Sequence, residues 1–350
     1  MSFSRSSYYE SSSGGNEIEY RNDGTEYQML AVYASRFSPD DPLSALVVGD
    51  RPEPDVPDGW TTVEVKAASL NHHDLWSLRG VGLRSDQLPM ILGCDAAGVD
   101  EDGNEVVVHA LVGDPQWRGD ESLDPRRTML SEKHPGTFAE RVAVPRRNLV
   151  PKPDSLSFAE AACLPTAWLT AYRMLFTRGQ VRPGETILVQ GAGGGVATAL
   201  ITLASSAGVR VWVTSRDETK RARALELGAH GVFETGARLP DRVDAAFETV
   251  GRATWEHSVR ALRPGGRVVI SGTTSGSHPD DAQLTRVFFL QLQVIGSTMG
   301  TATELRELMT MLDASGVRPL VDREISMEHA AEGFRAMADG DVFGKIVLTR

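Results

Sequence analysis

A glycine-rich turn between an apolar run and a helical pattern carries the clearest chemical signal in the sequence. The run TILVQG (186–191) leads into the turn, and VATALITLASSAG follows with helical spacing. Glycines let the backbone turn sharply and let a pyrophosphate approach it, while a helix N-terminus offers unpaired N–H groups and a positive dipole end. The pattern therefore predicts a dinucleotide site at Ala192, Gly193, Gly194, Gly195 and Val196.

The turn departs from a strict G-x-G-x-x-G. The register that fits the helix is Ala192-x-Gly194-x-x-Ala197, with alanine at the first and third places. Alanine still permits close packing, so the departure is mild. The alternative interpretation is an ordinary strand-to-helix loop of an α/β protein.

The end of the next predicted strand indicates which dinucleotide binds. There, Ser215, Arg216 and Lys220 offer a hydroxyl, a guanidinium and an ammonium group. These groups suit a ribose 2′-phosphate, so NADPH is favoured over NADH. Asp217 is a competing signal, because a register shift of one or two residues would bring a carboxylate to the ribose, as in NAD sites. The plainer alternative is that Arg216 and Lys220 are solvated residues at a helix start.

The elements that position these groups alternate along the chain after Pro153. Strands that are apolar nearly throughout, separated by single amphipathic helices, are typical of a doubly wound parallel sheet. Ser157 and Glu160 form a plausible capping box at the first helix. Predicted strands lie at 186–191, 209–215, 231–234, 243–251, 266–272 and 293–297, and predicted helices at 157–176, 196–207, 217–227 and 253–262.

The segments on either side have a different pattern. From Met29 to Pro151, short alternating runs broken by Gly, Pro and Asp predict an irregular β-rich domain. Within it, the polar segment 113–136 is predicted to be a long surface loop without good zinc ligands. The C-terminal part either extends the parallel sheet or returns to the first domain. Its predicted helices lie at 302–315 and 328–339, and its strands at 323–327 and 344–349.

Composition limits the class of protein. The 350 residues suggest about two domains. The 36 basic and 47 acidic residues give a net charge of −11, which disfavours nucleic acid as a partner. The two cysteines form neither a disulfide framework nor a four-cysteine zinc site, which fits a cytoplasmic setting. The sequence has no apolar run of about 20 residues for a membrane span, and residues 1–27 are predicted to be a disordered tail.

Eight motifs spread over residues 29–350 together resemble the medium-chain dehydrogenase/reductase superfamily, specifically its zinc-lacking quinone oxidoreductase-like branch. They are SLNHHDLWSLRG (69–80), LPMILGCDAAGV (88–99), GTFAERVAVP (136–145), AACLPTAWLTAY (161–172), LVQGAGGGVA (188–197), LRPGGRVVISG (262–272), VIGSTMGT (294–301) and GKIVL (344–348). The resemblance implies an α/β fold with two domains. A GroES-like β-rich catalytic domain would comprise 28–155 and 318–350, and a Rossmann NADP-binding domain with a doubly wound parallel sheet would comprise 156–317.

The same resemblance implies that the catalytic zinc of related alcohol dehydrogenases is lost. Asn71, Cys94 and Thr166 stand at the three ligand places, with Asp95 at the neighbouring acid. An amide and a hydroxyl are poor zinc ligands. The alternative is a rearranged site using His72, His73, Cys94 and Asp95. We expect no metal, because two adjacent histidines on a strand point to opposite faces and a free cysteine is usually a small buried apolar residue.

Without a metal, the easier hydride acceptors are quinones and α,β-unsaturated carbonyls, whose developing charge hydrogen-bond donors stabilise. The resemblance places Asn71 beside the nicotinamide ribose and gives Asp74 an orienting role. His73 is the candidate proton donor, and His73 and Trp76 are candidates for the substrate wall. Asn71 as a turn cap and His73 as an ordinary histidine are the plainer alternatives. The stretch lacks the tyrosine that the superfamily's enoyl reductases place near the cleft, which disfavours a dedicated enoyl reductase.

Further contacts are implied by the resemblance. Phe288 and Phe289 would wall the nicotinamide or substrate pocket, or belong to the core. Lys345 would approach the adenosine phosphate, or be a solvated lysine at a strand start. The strand at 293–297 resembles the edge through which family dimers pair, so a homodimer is expected. The remaining predicted cofactor contacts are Thr170, Thr249, Val250, Gly251, Ser271, Gly272 and Thr273.

The predicted function is therefore an NADPH-dependent, zinc-independent reductase of a small-molecule quinone, enone or related carbonyl. Two alternatives stay open: a zinc-dependent alcohol or aldehyde dehydrogenase with a rearranged metal site, and a non-catalytic NADPH-binding protein.

Overall fold

The computed structural model describes residues 28–350, so the predicted disordered tail at 1–27 lies outside the described residues. The N-terminal part is β-rich, as its short alternating runs predict. In the strand from Trp60 to Ser69, residues alternate between buried and half-buried over most of its length, as in a sheet with one face toward a core. The elements are β1 (Gln28–Ala34), β2 (Leu46–Pro52), β3 (Trp60–Ser69), α1 (His72–Leu78), β4 (Met90–Ile91), β5 (Asp95–Asp100), β6 (Glu105–Val108), β7 (Leu111–Val112), β8 (Thr128–Met129), β9 (Arg141–Pro145) and β10 (Leu149–Pro151).

The central part alternates strands and helices, and its strands are buried nearly throughout. Helical residues precede it, where Ser157 caps the first helix and Glu160 completes the capping box. The elements are α2 (Phe158–Ala162), α3 (Leu169–Tyr172), β11 (Thr186–Gln190), α4 (Gly195–Ser206), β12 (Arg210–Thr214), α5 (Glu218–Glu226), β13 (Gly231–Phe233), β14 (Val243–Glu248), α6 (Trp255–Ala261), β15 (Leu262–Ile270), α7 (Leu284–Phe289), β16 (Gln293–Gly296) and α8 (Ala302–Ser315).

The six central strands form one parallel sheet in the order β13-β12-β11-β14-β15-β16. This is the doubly wound order. From β11 the chain adds β12 and β13 on one side, and it then crosses back to add β14, β15 and β16 on the other side. The carboxyl ends of β11 and β14 therefore border a crevice, where ligands of open parallel sheets bind. The predicted parallel sheet is thus present, and its switch point lies at the glycine-rich turn.

The C-terminal segment returns to the first domain. Its elements are β17 (Val321–Ser326), α9 (Ala330–Asp339) and β18 (Lys345–Thr349). β18 pairs antiparallel with β3, and β17 pairs with β18. They complete a seven-stranded sheet of order β10-β6-β5-β3-β18-β17, with β9 also on β3. Of the two alternatives for this segment, the structure shows the return.

Three local predictions differ from the structure. Residues 72–78 form helix α1, so the interpretation of His72 and His73 as strand neighbours is wrong. The predicted helix at 157–176 is interrupted by π-helical turns at Leu164–Trp168 and Arg173–Arg178. The segment 113–136 is more than a surface loop, because β8 pairs with β7 and the buried Arg173 forms ion pairs with Asp120 and Glu304.

None of the helices within residues 28–350 is long and apolar enough to cross a bilayer. The apolar side chains instead pack into cores on both sides of the crevice. Leu164, Leu200 and Phe247 belong to the core of the parallel sheet, and Val63, Phe138 and Phe334 belong to the core of the β-rich domain.

Gly98 on β5 packs directly against the backbone of β3. A Cβ atom there would lie 2.1 Å from the backbone oxygen of Glu64 on β3. We expect Gly98→Ala to lower the free energy of unfolding by about 1–3 kcal/mol, because the strands must move apart. The measurement is urea denaturation, with Gly296→Ala as the control, since a Cβ at Gly296 meets no atom within 4 Å. Equal stability of the two variants would contradict the prediction.

Candidate active site

The turn after β11 packs closely against the protein at two of its glycines and is open at a third. Gly191 has a φ of +84°, a conformation that favours glycine, and Gly194 is the N-cap of α4 without a side chain to cap it. A Cβ at Gly193 would lie 2.8 Å from the Val342 oxygen, and one at Gly195 would lie 2.6 Å from Cδ of Lys345. Gly193 and Gly195 therefore pack against the C-terminal segment, whereas a Cβ at Gly194 would meet no atom within 4 Å. The open side of Gly194 at the start of α4 fits the close approach of a pyrophosphate. Ala192 and Val196 complete the turn.

The end of β12 carries the predicted 2′-phosphate contacts. Arg216 is exposed. Ser215 is buried and its Oγ accepts a hydrogen bond from the Asp217 amide, while Asp217 caps α5 through the Lys220 amide. Lys220 donates from Nζ to the Gly340 oxygen at 2.6 Å and lies beside Gly193. The Asp217 carboxylate thus has a structural role as a cap, whereas Arg216 is open to a ligand.

The turns after β14 and β15 meet each other at the same edge of the sheet. Thr249, Val250 and Gly251 follow β14, and the Thr249 oxygen accepts a hydrogen bond from the Thr274 amide. Ser271, Gly272 and Thr273 follow β15, and the Ser271 amide donates to the Glu248 oxygen. Thr170 is buried on α3, which packs against α4. These residues surround the carboxyl ends of the strands.

Glu248 is a site residue that the sequence reasoning missed. Its buried carboxylate accepts hydrogen bonds from the amides of Val250 and Gly251, each at 2.9 Å, and from the hydroxyls of Thr254 and Ser258. It therefore fixes the predicted cofactor turn. The signal that could have identified it is an acid directly after the apolar residues Ala245, Ala246 and Phe247, at the carboxyl end of β14.

Across the crevice, Asn71 is the N-cap of α1. In its capping box, the backbone N–H of Asn71 donates to Asp74 Oδ2 at 2.8 Å. Its side chain joins two charged groups. Nδ2 donates to Asp95 Oδ2 at 2.8 Å, and Oδ1 accepts from Lys345 Nζ at 2.6 Å. Asp74 also accepts from the Gly93 amide, so it orients the start of α1.

Lys345 is buried between the glycine-rich turn and α1. Its side chain is 3% exposed, so the alternative of a solvated lysine is wrong. Nζ donates to the Leu70 oxygen at 2.7 Å and lies 3.4 Å from Asp95 Oδ2, while Asp95 is fully buried. Because its stem passes beside Gly195, Lys345 connects the two sides of the predicted site.

His73 lies on the first turn of α1 and is surrounded by three polar groups. Its Nδ1 is 3.4 Å from Cys94 Sγ and 3.9 Å from Asp74 Oδ1, and its Nε2 is 3.0 Å from Glu132 Oε1. Burial disfavours the charged ring, but Cys94 and the carboxylates of Asp74 and Glu132 outweigh this, so the pKa of His73 lies above its ordinary value. Glu132 was missed, because it lies 59 residues along the chain in a predicted surface loop.

The predicted substrate residues separate into two groups. Trp76 is half-buried on α1, and the guanidinium of Arg79 stacks 5.2 Å from its ring. Phe288 and Phe289 lie on α7 with exposed fractions of 70% and 77%. The alternative that Phe288 and Phe289 are plain core residues is therefore wrong.

The residues at the usual zinc ligand places do not fit that metal. The oxygen of Asn71 already accepts from the Lys345 ammonium, and Thr166 offers only a neutral hydroxyl. Burial raises the pKa of the Cys94 thiol, which opposes the thiolate form that binds metals. A different group, His73, Asp74 and Cys94, brings its ligand atoms within 4.8 Å of one another. The rearranged site considered from the sequence shares His73 and Cys94 with this group. It differs in using His72 and Asp95, whereas the group in the structure uses Asp74.

Two family models match the chain. "Alcohol dehydrogenase GroES-like domain" matches residues 57–154, and "Zinc-binding dehydrogenase" matches residues 195–314. Acryloyl-coenzyme A reductase of Sulfurisphaera tokodaii is 27% identical, covering 88% of this chain and 97% of the relative. Quinone oxidoreductase of Mus musculus is 27% identical, covering 82% and 88%.

Among solved structures, an NAD-dependent alcohol dehydrogenase is 34% identical with a TM-score of 0.84, and the match covers 92% of this chain and all of the other. The predicted α/β fold class, a GroES-like β-rich domain with a Rossmann domain, is thereby confirmed. The chain belongs to the medium-chain dehydrogenase/reductase superfamily of oxidoreductases.

Proposed function

We propose that this protein is an NADPH-dependent, zinc-independent oxidoreductase that reduces a quinone or an α,β-unsaturated carbonyl. The observation that carries the proposal is the buried Lys345 ammonium, which contacts Asn71 Oδ1 and Asp95 Oδ2. Both oxygens belong to places that the superfamily's zinc site uses, so a protein cation already neutralises the local acid. Conjugated acceptors are the substrates that need least activation by a Lewis acid.

NADPH fits the crevice through the glycine-rich turn, with Arg216 and Lys220 at the adenosine end. Bound NADPH would supply the hydride. The open side of Gly194 would receive its pyrophosphate, and the turns at Thr249–Gly251 and Ser271–Thr273 border the crevice. Asn71 lies across the crevice and would contact the nicotinamide ribose. Lys345 was expected at the adenosine phosphate, but its Nζ contacts Asn71 Oδ1 instead.

We assign proton donation to the pair of His73 and Glu132. A conjugated acceptor that receives a hydride must also receive a proton. The raised pKa of His73 keeps a proton on its ring, and Glu132 Oε1 holds Nε2 at 3.0 Å. The side chains of His73 and Glu132 are 22% and 34% exposed, so the pair is open to a bound acceptor. Asp74 orients α1, and Trp76 would form part of the substrate wall.

The relatives support the choice of acceptor. One is named for acryloyl-coenzyme A and another for quinone, and both compounds are conjugated acceptors.

We extend the proposal to a catalytic domain of residues 28–155 and 318–350, because β17 and β18 join the sheet of β3. The exposed α7 and the edge strand β16 favour a homodimer. The free cysteines Cys94 and Cys163 fit a cytoplasmic protein.

The decisive experiment is NADPH oxidation by protein treated with a chelator, with quinones, α,β-unsaturated ketones, enoyl thioesters and simple aldehydes as acceptors. We expect turnover of conjugated acceptors and none of simple aldehydes. Activity on aldehydes alone would refute the proposal. Tight NADPH binding without turnover of any acceptor would favour the non-catalytic alternative.

Arg216 should determine the preference for NADPH. We expect Arg216→Gln to raise the Kd for NADPH about 10- to 100-fold and to leave that for NADH unchanged, because the lost hydrogen bond involves a charged phosphate. Fluorescence titration measures both constants. Arg210→Gln is the matched control, because Arg210 is exposed at the opposite end of β12. An equal effect on both cofactors would contradict the assignment.

A second candidate function follows from the group of His73, Asp74 and Cys94. An imidazole, a carboxylate and a thiolate are zinc ligands, and their atoms lie within 4.8 Å of one another. This would give a metal-dependent alcohol or aldehyde dehydrogenase. Metal analysis of protein purified without chelators, together with the absorption spectrum after cobalt(II) addition, tests it. A stoichiometric metal and a thiolate-to-cobalt band, both absent in Cys94→Ala, would favour this candidate.

A further inference from the structure

A basic surface pocket adjoins the assigned proton donor. It has a volume of about 300 Å³, and three of its lining residues, Arg84, Arg127 and Lys133, are basic. Its only acidic lining residue is Glu132. Pockets of this size are at the lower end of those that hold small ligands.

Glu132 connects this pocket to His73. Its Oε1 contacts His73 Nε2 at 3.0 Å, while its backbone oxygen accepts from Gln87 Nε2 at 2.8 Å. Gly82 also lines the pocket and packs against Glu132, since a Cβ there would lie 3.0 Å from Glu132 Oε1. A molecule in the pocket would therefore lie directly beside the residue pair that we assign to proton donation.

The charge of the pocket is opposite to that of the whole chain. The chain carries a net charge of −11, whereas the pocket has three basic residues and one acidic residue. Within residues 28–350, neither Arg127 nor Lys133 has an ion-pair partner, and Arg127 donates only to the backbone oxygen of Asp124. Arg84 pairs with Asp86 in an exposed contact, which contributes little. Two cations are thus available to a ligand.

We propose that this pocket binds an anionic group of the substrate, a carboxylate or a phosphate, at a distance from the conjugated carbonyl. Arg127 offers the planar donor set that matches both anions, and Lys133 adds a mobile point charge. This inference rests on the proposed reductase function and names its substrate class. The acceptor reduced beside His73 is an anionic enone or enoyl thioester.

The test compares acceptors that share a conjugated carbonyl and differ in charge: 3-penten-2-one, an enone with a terminal carboxylate, and crotonyl-coenzyme A. For Arg127→Gln/Lys133→Gln, we expect the KM of the anionic acceptors to rise about 10- to 100-fold, because two charged contacts are lost. The KM for the neutral 3-penten-2-one should not change. Comparing the KM increase for the carboxylate enone with that for crotonyl-coenzyme A, which carries phosphates, identifies which anion the pocket prefers. Arg118→Gln is the control, since exposed Arg118 lies on the same segment outside the pocket.

Calorimetric binding of inorganic pyrophosphate to NADP⁺-saturated protein provides a readout that does not need turnover. We expect binding that the double variant weakens and Arg118→Gln does not. If such binding occurs but no acceptor is reduced, the pocket stands and the reductase function fails. If neutral acceptors are reduced while pyrophosphate does not bind and anionic acceptors have no advantage, the pocket proposal is overturned. Equal KM increases for neutral and charged acceptors would also overturn it.

Discussion

Lys345→Met is expected to lower the free energy of unfolding by about 3–5 kcal/mol, because it leaves a buried charge without its partner. The Lys345 ammonium is buried and hydrogen-bonds to the Leu70 oxygen and to Asn71 Oδ1. Asp95 Oδ2 lies 3.4 Å away, and this carboxylate is fully buried, with no hydrogen bond to its Oδ1 within the described residues. Methionine has a similar length but no charge, so the change tests the electrostatic role of the lysine.

Urea denaturation of a double-mutant cycle measures this effect. Lys345→Met/Asp95→Asn should recover most of the lost stability, because the uncompensated carboxylate is then removed. Lys66→Met is the surface control. Lys66 pairs with Glu64 at the surface, so its loss should cost less than about 1 kcal/mol. If Lys345→Met and Lys66→Met were equally stable, the buried contact to Asp95 would have no stabilising role.

His73→Gln is expected to reduce kcat with a conjugated acceptor by about 10²- to 10⁴-fold, the contribution of a positioned general acid. Glutamine keeps hydrogen-bonding capacity but has no transferable proton at neutral pH. The assay is steady-state NADPH oxidation at saturating acceptor. His72→Gln is the matched control, because His72 is exposed on the same turn of α1. A His73→Gln variant within threefold of the wild-type rate would show that solvent supplies the proton.

The pH dependence gives a second test of His73. Its pKa is raised above the ordinary value of about 6.5, so the acid form should persist at neutral pH, and kcat should fall only as the pH rises through the raised pKa. Glu132→Gln removes one of the carboxylates that raise this pKa, so the fall in kcat should move to lower pH. The stabilisation from these contacts should likewise be complete below the ordinary pKa of about 6.5 and be lost as the pH rises through the raised pKa of His73. An unchanged profile in Glu132→Gln would separate Glu132 from the proton donor.

Local sequence patterns were sufficient for the parallel sheet and its glycine-rich turn. Strand and helix periodicities are properties of neighbouring residues, so β11, α4 and β12 could be placed within a few residues. The stretch from Asn71 to Asp74 shows the limit of this reasoning. Its Asn-x-x-Asp spacing is a local capping signal, yet the prediction treats His72 and His73 as strand neighbours, whereas both lie on the short helix α1.

Sequence by itself determined the alternating strands and helices and the glycine-rich turn between them, because these depend on residue type and short spacing. Only the tertiary structure decided the roles of Lys345 and Glu132. Lys345 Nζ meets Asn71 across 274 residues, and Glu132 meets His73 across 59. Such contacts arise when β18 pairs with β3 and when the 113–136 segment packs beside α1. No spacing in the sequence encodes them, because chain folding sets these distances independently of sequence separation.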